Sequence, residues 1–141
     1  MDLITSHRNH HVFNLARGEE LFTTLISWCQ DNDLSGGTLT GLGATDQIEL
    51  AYYHLPTKTY ERHVINEEVE ILTLQGNLGT LASKPILHIH GVFGKRDLST
   101  FGGHLFKLRV SGACEIHFNS FTTPLPREHD EETGLNLLCR I

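Results

Sequence analysis

Only one stretch of this chain repeats apolar residues at helical spacing, and that limits the folds open to it. Leu21, Phe22, Leu25, Ile26, Trp28 and Cys29 fall on one stripe of a helix expected from about Gly18 to Asp31. Glu19 and Glu20 would occupy its first turn, at the positive end of the helix dipole, and Asn32 to Gly37 would end it. The remainder reads as strand. His11 to Leu15 precedes the helix. Thr38 to Thr40 leads into Gly41-Leu-Gly43-Ala44, and Gln47 to Leu55 and Thr59 to Ile65 follow. Val69 to Leu74 stops at Gln75-Gly76-Asn77, a turn signal. Ile86 to Phe93, His104 to Val110 and Ala113 to Phe118 complete the set, with Gly112 marking a bulge or a close backbone approach. One helix against many antiparallel strands predicts the α+β class.

The chain has 141 residues, the length of one domain, and can bury a core without a metal or disulfide to hold it. Its net charge of -6, with no Lys/Arg cluster, is opposite in sign to that of a protein built to coat nucleic acid alone. No run approaches the length of a membrane span, and the first residues lack the apolar core of a signal peptide. Three unpaired cysteines, Cys29, Cys114 and Cys139, then predict reduced thiols and an intracellular, cytoplasmic protein. After Phe121 the chain changes character. Pro124 and Pro126 are expected to break any strand, and Arg127 to Glu132 is polar. The apolar residues of Leu135 to Ile141 predict that this tail packs back on the domain or on a neighbouring subunit.

The chemistry of the sequence is concentrated in Pro85-Ile-Leu-His-Ile-His-Gly91 and in His104 after Gly102-Gly103. A strand sets His88 and His90 on one face and Leu87 and Ile89 on the other. A hairpin centred near Asp97 would place His90 opposite His104, with all three imidazoles on one face. Three converging imidazoles suit zinc or another transition metal and leave room for a fourth ligand. The same residues would also serve as hydrogen-bonded histidines at a sheet surface or subunit seam, and spacing alone leaves both readings open.

A hydrolytic metal also needs a group that moves protons. Glu115 and His117 share a face of the late strand, and Glu68 and Glu70 lie near another, but spacing ties none of them to His88, His90 and His104, so no catalytic residue is assigned. Gly41-Leu-Gly43 lacks the third glycine and following helix of a dinucleotide fingerprint and reads as a bend. Lys95-Arg96-Asp97 reads as a solvated hairpin tip, Trp28 and Cys29 as core, and Tyr52 and Tyr53 as facing opposite ways.

These pieces together resemble the plants-and-prokaryotes-conserved (PPC) domain, which plant AT-hook nuclear proteins carry beside their DNA-binding hooks. The matching segments are Arg17-Gly-Glu19, Gly41-Leu-Gly-Ala44, Glu70-Ile-Leu-Thr-Leu-Gln-Gly-Asn77, Leu87-His-Ile-His90, Gly102-Gly-His-Leu105 and Glu115-Ile116. They span about residues 11 to 119, and Asp130-Glu-Glu-Thr-Gly-Leu135 is similar to the tail of prokaryotic members. The resemblance implies a strongly bent, mainly antiparallel sheet packed against one main helix, a homotrimer, and a metal near His88, His90 and His104. It also implies a fold similar to acetolactate decarboxylase, whose zinc three histidines hold. Bacterial and archaeal members are commonly described as DNA-binding by prediction alone. This chain has no Arg-Gly-Arg-Pro hook to enter a minor groove. Where plant members have Gly-Arg-Phe-Glu-Ile-Leu, it has Glu67-Glu-Val-Glu-Ile-Leu72, a carboxylate and a valine in place of a cation and an aromatic.

The expectation is a metal-binding homotrimer, one domain over 1–141 with a tail from 120, in a structural, regulatory or DNA-associated role through DNA or a DNA-associated protein. The alternative is a zinc-dependent lyase or hydrolase acting on a small acidic or carbonyl substrate, for which a small acidic ligand would be the partner.

Overall fold

The computed structural model describes residues 1–140. Its helix, α1 (Leu21–Asp31), buries Leu21, Leu25 and Cys29 completely, four residues apart on one face. The helix begins later than the apolar stripe suggested. Glu20 is its N-cap, not a first-turn residue, and its carboxylate accepts from the Phe22 and Thr23 backbone N–H groups at 3.2 and 2.9 Å. Glu19 lies outside the helix and accepts from the Ala16 N–H at 2.7 Å. At the other end the Asn32 side chain donates to the Trp28 carbonyl at 2.8 Å. No helix of the described residues is long and apolar enough to cross a membrane.

The described residues also form nine strands: β1 (Asp2–His7), β2 (His10–Ala16), β3 (Gly37–His54), β4 (Thr59–Ile65), β5 (Val69–Leu81), β6 (Lys84–Gly94), β7 (Thr100–Ser120), β8 (Pro126–His129) and β9 (Asn136–Leu138). They form one sheet in the order β1-β2-β7-β3-β5-β8-β9, with β4 on β3 and β6 between β5 and β7. All pairings are antiparallel except β5 with β8, so the sheet is mixed and mainly antiparallel, as the α+β class requires. Strand β3 pairs β5, β5 pairs β6, β6 pairs β7 and β7 pairs β3 again. These four strands therefore close a ring, which a flat sheet cannot do. Phe13, Leu39, Leu74, Leu78, Ile89, Phe93, Leu105, Ile116 and Phe118 form one buried core cluster with the helix stripe.

Several segments that read as separate strands are continuous. Gln75-Gly76-Asn77 is not a turn: β5 runs through it to Leu81. A Cβ at Gly76 would lie 2.3 Å from the His88 carbonyl oxygen, so glycine here serves the close approach of β6 rather than a reversal. The 38–40 and 47–55 segments fall in one strand, β3 (Gly37–His54), that passes Gly43 at φ +153°, where a Cβ would lie 2.2 Å from the Ala113 carbonyl oxygen. The 104–110 and 113–118 segments likewise form one strand, with the expected irregularity at Gly112: Gly43 opposes Cys114 while Thr45 opposes Val110. Strand β1 has all six residues exposed and so lacks the alternation that marks a strand in sequence. Pro126 does not break β8 but opens it, a position where its missing N–H is not needed. Through β8 the tail returns to the domain, with the Thr80 N–H donating to the Leu125 carbonyl at 2.9 Å.

The close approach at Gly76 makes a direct prediction. Gly76→Ala should lower stability by about 1–3 kcal/mol, the usual cost of overpacking against backbone. Gly112→Ala, whose Cβ would rest 3.8 Å from that of Ala44, should leave the urea midpoint unchanged or raise it slightly. Equilibrium urea unfolding of the two variants measures the difference.

Candidate metal centre

Core burial sets the direction of each histidine. In β6, Leu87 and Ile89 point inward, 7% and 0% exposed, so His88 and His90 point outward between them. The β6–β7 hairpin turns at residues 95–99, where the Lys95 N–H donates to the Ser99 carbonyl and the Asp97 carboxylate accepts from the Ser99 N–H. Its register pairs Gly94 with Thr100, Gly91 with Gly103 and His90 with His104, the pairing that the spacing anticipates. Leu105 faces the core, and the next inward residue is Leu108. The ladder to β3 shifts between these two, so His104 and Phe106 both stay on the outer side while two inward leucines stand three apart.

The three rings form a nearly equilateral triangle, with centroids 5.1 Å (His88–His90), 5.0 Å (His88–His104) and 5.1 Å (His90–His104) apart. One nitrogen from each lies within 4.8 Å of the others. The Nε2 atoms of His88 and His90 are 3.2 Å apart. Two imidazole nitrogens sharing a tetrahedral ion at about 2.0–2.1 Å stand about 3.3 Å apart, so this spacing fits a metal as well as a hydrogen bond. His88 and His104 are half-buried and His90 is exposed.

Both half-buried rings are held neutral. Burial, then the neighbouring His88 and His90, then the Arg62 and Arg127 guanidinium groups push His104 down to about 4. Burial, then Arg127 and His90, lowers His88 in the same direction. Neutral imidazole is the form that ligates a metal.

Four neighbours of the triad were invisible to sequence reasoning. His104 packs against Tyr60 and Phe106, with ring centroids at 5.1 and 4.7 Å. The Arg62 guanidinium stacks 3.9 Å over Phe106 and is held by Glu49 at 2.8 Å. Arg127 comes from the tail. Its Nη2 donates to Asn77 Oδ1 at 2.8 Å and to His88 Nδ1 at 3.3 Å, and its Nη1 donates to the Asn136 carbonyl at 2.8 Å. Asn77 is the cross-strand partner of His88, so β5, β6 and β8 meet at this point. The only available signal was a lone arginine after Pro124-Leu-Pro126, which carries no periodicity. A cavity of about 380 Å³ opens beside the triad, between the tail, β6, β7 and α1; its lining is mostly apolar and includes His88, His104 and Arg127.

The acidic residues considered from sequence lie elsewhere. Glu70 pairs with Gly94, six residues along β6 from His88, or about 20 Å of strand. Glu115 opposes Asn14 and Leu42 at the far end of β7, and His117 meets His10 at 3.3 Å. Cys29 and Cys114 are buried, and burial pushes their thiols up to about 12. Lys95 pairs with Glu67 at 3.3 Å at the hairpin tip. Tyr52 is exposed, while the Tyr53 hydroxyl donates to the Thr133 carbonyl at 2.6 Å.

With this geometry established, comparison with known proteins places it. The model of the Plants and Prokaryotes Conserved (PCC) domain matches residues 4–122. No curated protein sequence matches the chain. Among solved structures, a candidate DNA-binding protein of Bacteroides thetaiotaomicron superposes with a TM-score of 0.92 at 25% identity, covering 96% of this chain and 94% of the other. A metal-containing protein of Archaeoglobus fulgidus superposes with a TM-score of 0.87 at 26% identity, with 99% of each chain covered. The acetolactate decarboxylase of Bacillus subtilis subspecies spizizenii shares the fold more distantly, with a TM-score of 0.54 at 13% identity over 82% of this chain and 54% of its own. The ring of strands, the triad's place on it and the match over 4–122 lead to one assignment: this chain belongs to the Plants and Prokaryotes Conserved domain family.

Proposed function

We propose that this chain is a transition-metal-binding homotrimer, a single domain over 1–141, in which His88, His90 and His104 hold the ion, zinc being the first candidate. The observation that carries this reading is the convergence of three imidazoles, two of them held neutral, at the rim of a cavity. The metal-containing relative at 26% identity supports it. When bound, the ion supplies Lewis acidity. The protein's own part is to hold the rings by burying Leu87, Ile89 and Leu105. Trimer assembly is supported by Leu42, Leu72 and Val92, which stand 54%, 50% and 41% exposed on β3, β5 and β6. Three free cysteines favour the reducing cytoplasm. The role is structural or regulatory, and any association with DNA runs through a partner, because the chain carries -6 net charge and no basic arm.

A second reading has one specific support. Among the described residues three histidines converge, beside a cavity that also holds Arg127, and this leaves a coordination position for a substrate. A zinc-dependent lyase or hydrolase would use that position. Among the described residues no carboxylate joins the triad to carry protons, so the binding role comes first.

The metal reading is tested by the metal content of the purified protein. One ion per chain is expected in the wild type, and His90→Ala should weaken its retention by at least about 100-fold, beyond the cost of losing an outer-shell partner. A wild-type protein without metal, unchanged by His90→Ala, would refute it. The metal-free protein should also show a defined pH response. His104 takes its proton near 4 when folded but near 6.5 when unfolded, and His88 shifts the same way. The unfolded chain thus binds more protons between these values, and stability should fall as pH drops from 6.5 toward 4. Thermal midpoints across that range measure it, and His104→Gln should flatten the slope. Finally, a gel shift with long duplex DNA at low ionic strength should show no salt-sensitive retardation by the purified protein.

A further inference from the structure

Arg127 differs from the other guanidinium acting on the triad, Arg62, which is paired with Glu49. Arg127 makes no ion pair among the described residues; its acceptors are all neutral, the Asn77 amide, the Asn136 carbonyl and the His88 ring. Its Nε is buried without a partner, and its side chain lines the 380 Å³ cavity. That volume lies within the range of small-molecule sites, about 300–1,000 Å³. The rest of the lining is largely hydrocarbon, with Phe22, Ile86, Phe106 and Leu137 among it. An unanswered cation at one side of an apolar cavity selects a ligand that is anionic at one end and apolar at the other.

We propose that this cavity binds a small monocarboxylate with an apolar body, its carboxylate held by Arg127 next to His88 and its body against Phe22, Ile86, Phe106 and Leu137. The proposal rests on the metal reading for one feature, its dependence on the ion. A guanidinium only donates, so His88 Nδ1 accepts from Arg127 and the proton of the neutral ring sits on Nε2. An ion taken at Nε2 leaves the ring proton on Nδ1. Arg127 then loses its acceptor, and two donors face one point. Metal-bound histidines give their second N–H to a carboxylate, a carbonyl or water, and a carboxylate has an oxygen for each donor here. Metal loading therefore converts the His88–Arg127 contact into an anion site.

The test is calorimetric titration of the full-length protein, zinc-loaded and metal-free, with 3-methylbutanoate, 3-methylbutanol and inorganic phosphate as probes, zinc content being measured on every sample. The acid should bind the zinc-loaded protein once per chain. The alcohol and phosphate should each bind at least tenfold more weakly, as should the acid to the metal-free protein. Arg127→Gln should cost at least tenfold in acid binding in a sample whose zinc content is no lower than that of the wild type. Leu137→Glu, at a position already 43% exposed, should also block the acid by giving Arg127 an internal carboxylate, which covers the case of a misfolded Arg127→Gln. Equal binding of acid and alcohol, full acid binding by Leu137→Glu or Arg127→Gln, or no binding of the acid would overturn the proposal. A wild type that carries no transition metal and takes up no zinc would overturn the metal reading alone, because the acid–alcohol difference and the two variants still decide the carboxylate site.

Discussion

Strand β7 is the member on which the other strands depend. Its 21 residues hydrogen-bond to β6 near the start, to β3 through the middle and to β2 and β3 together at the end. Its inward side chains, Leu105, Leu108, Val110, Cys114, Ile116 and Phe118, are all at most 1% exposed. A slip of one residue in its pairing with β6 would turn Leu105 or Leu87 and Ile89 to solvent, at about 1.5–3 kcal/mol for each such side chain. The pairing of His90 with His104 is thus enforced by leucines and an isoleucine that have no part in the chemistry. Precision at the triad follows from burial one residue away on each strand.

This explains which features could be read from the residues alone. The hairpin register was legible because Pro85 to Gly91 and Gly102 to Leu105 alternate cleanly and the turn between them is short. The helix stripe was legible from its four-residue spacing of Leu21, Leu25 and Cys29, and the strand Thr59–Ile65 has the bounds expected of it. Gly76 misled, because a glycine required by a neighbouring backbone looks identical in sequence to one required by a turn. The bulge beside Phe106 was hidden too. Strict alternation would put His104, Leu108 and Val110 on one face, whereas the shift in the β3–β7 ladder sends His104 outward and both apolar residues inward. Arg127 was out of reach for a different reason: its partners Asn77 and His88 lie 50 and 39 residues away, and the strand that brings it there is four residues long.

The surroundings of the triad pull in two directions. Burial of His88 and His104 keeps their lone pairs free of protons, which favours a metal. Arg127 and Arg62, the same groups that help depress these rings, place positive charge beside any dication that enters, which opposes it. Arg62 is offset by Glu49, but Arg127 has no such counterion among the described residues. At a site of this kind an anion would raise the affinity for a metal ion, and the ion would raise the affinity for the anion by the same factor, since coupling between two ligands is reciprocal.

The tail is the element through which that coupling would act on the rest of the molecule. β8 and β9 hold Arg127 against Asn77 and bring Asn136 and Leu137 to the cavity wall, so the wall and the counter-charge arrive together on one segment. The tail is anchored by two residue pairs of parallel ladder to β5, by backbone bonds from Phe121 to Gly36, from Leu125 to Ser35 and from Thr80 to Leu125, and by Tyr53 and Lys58 donating to the Thr133 and Glu131 carbonyls. Parallel pairing this short contributes little by itself, and the arginine's bonds to Asn77 and His88 add to the attachment. An anion bridging Arg127 and His88 would add a charge-assisted link between the tail and β6, where the present contact is a long bond to a neutral ring. Filling the cavity and fastening the tail are therefore one event, and the free energy of ligand binding would appear as order in residues 126–138.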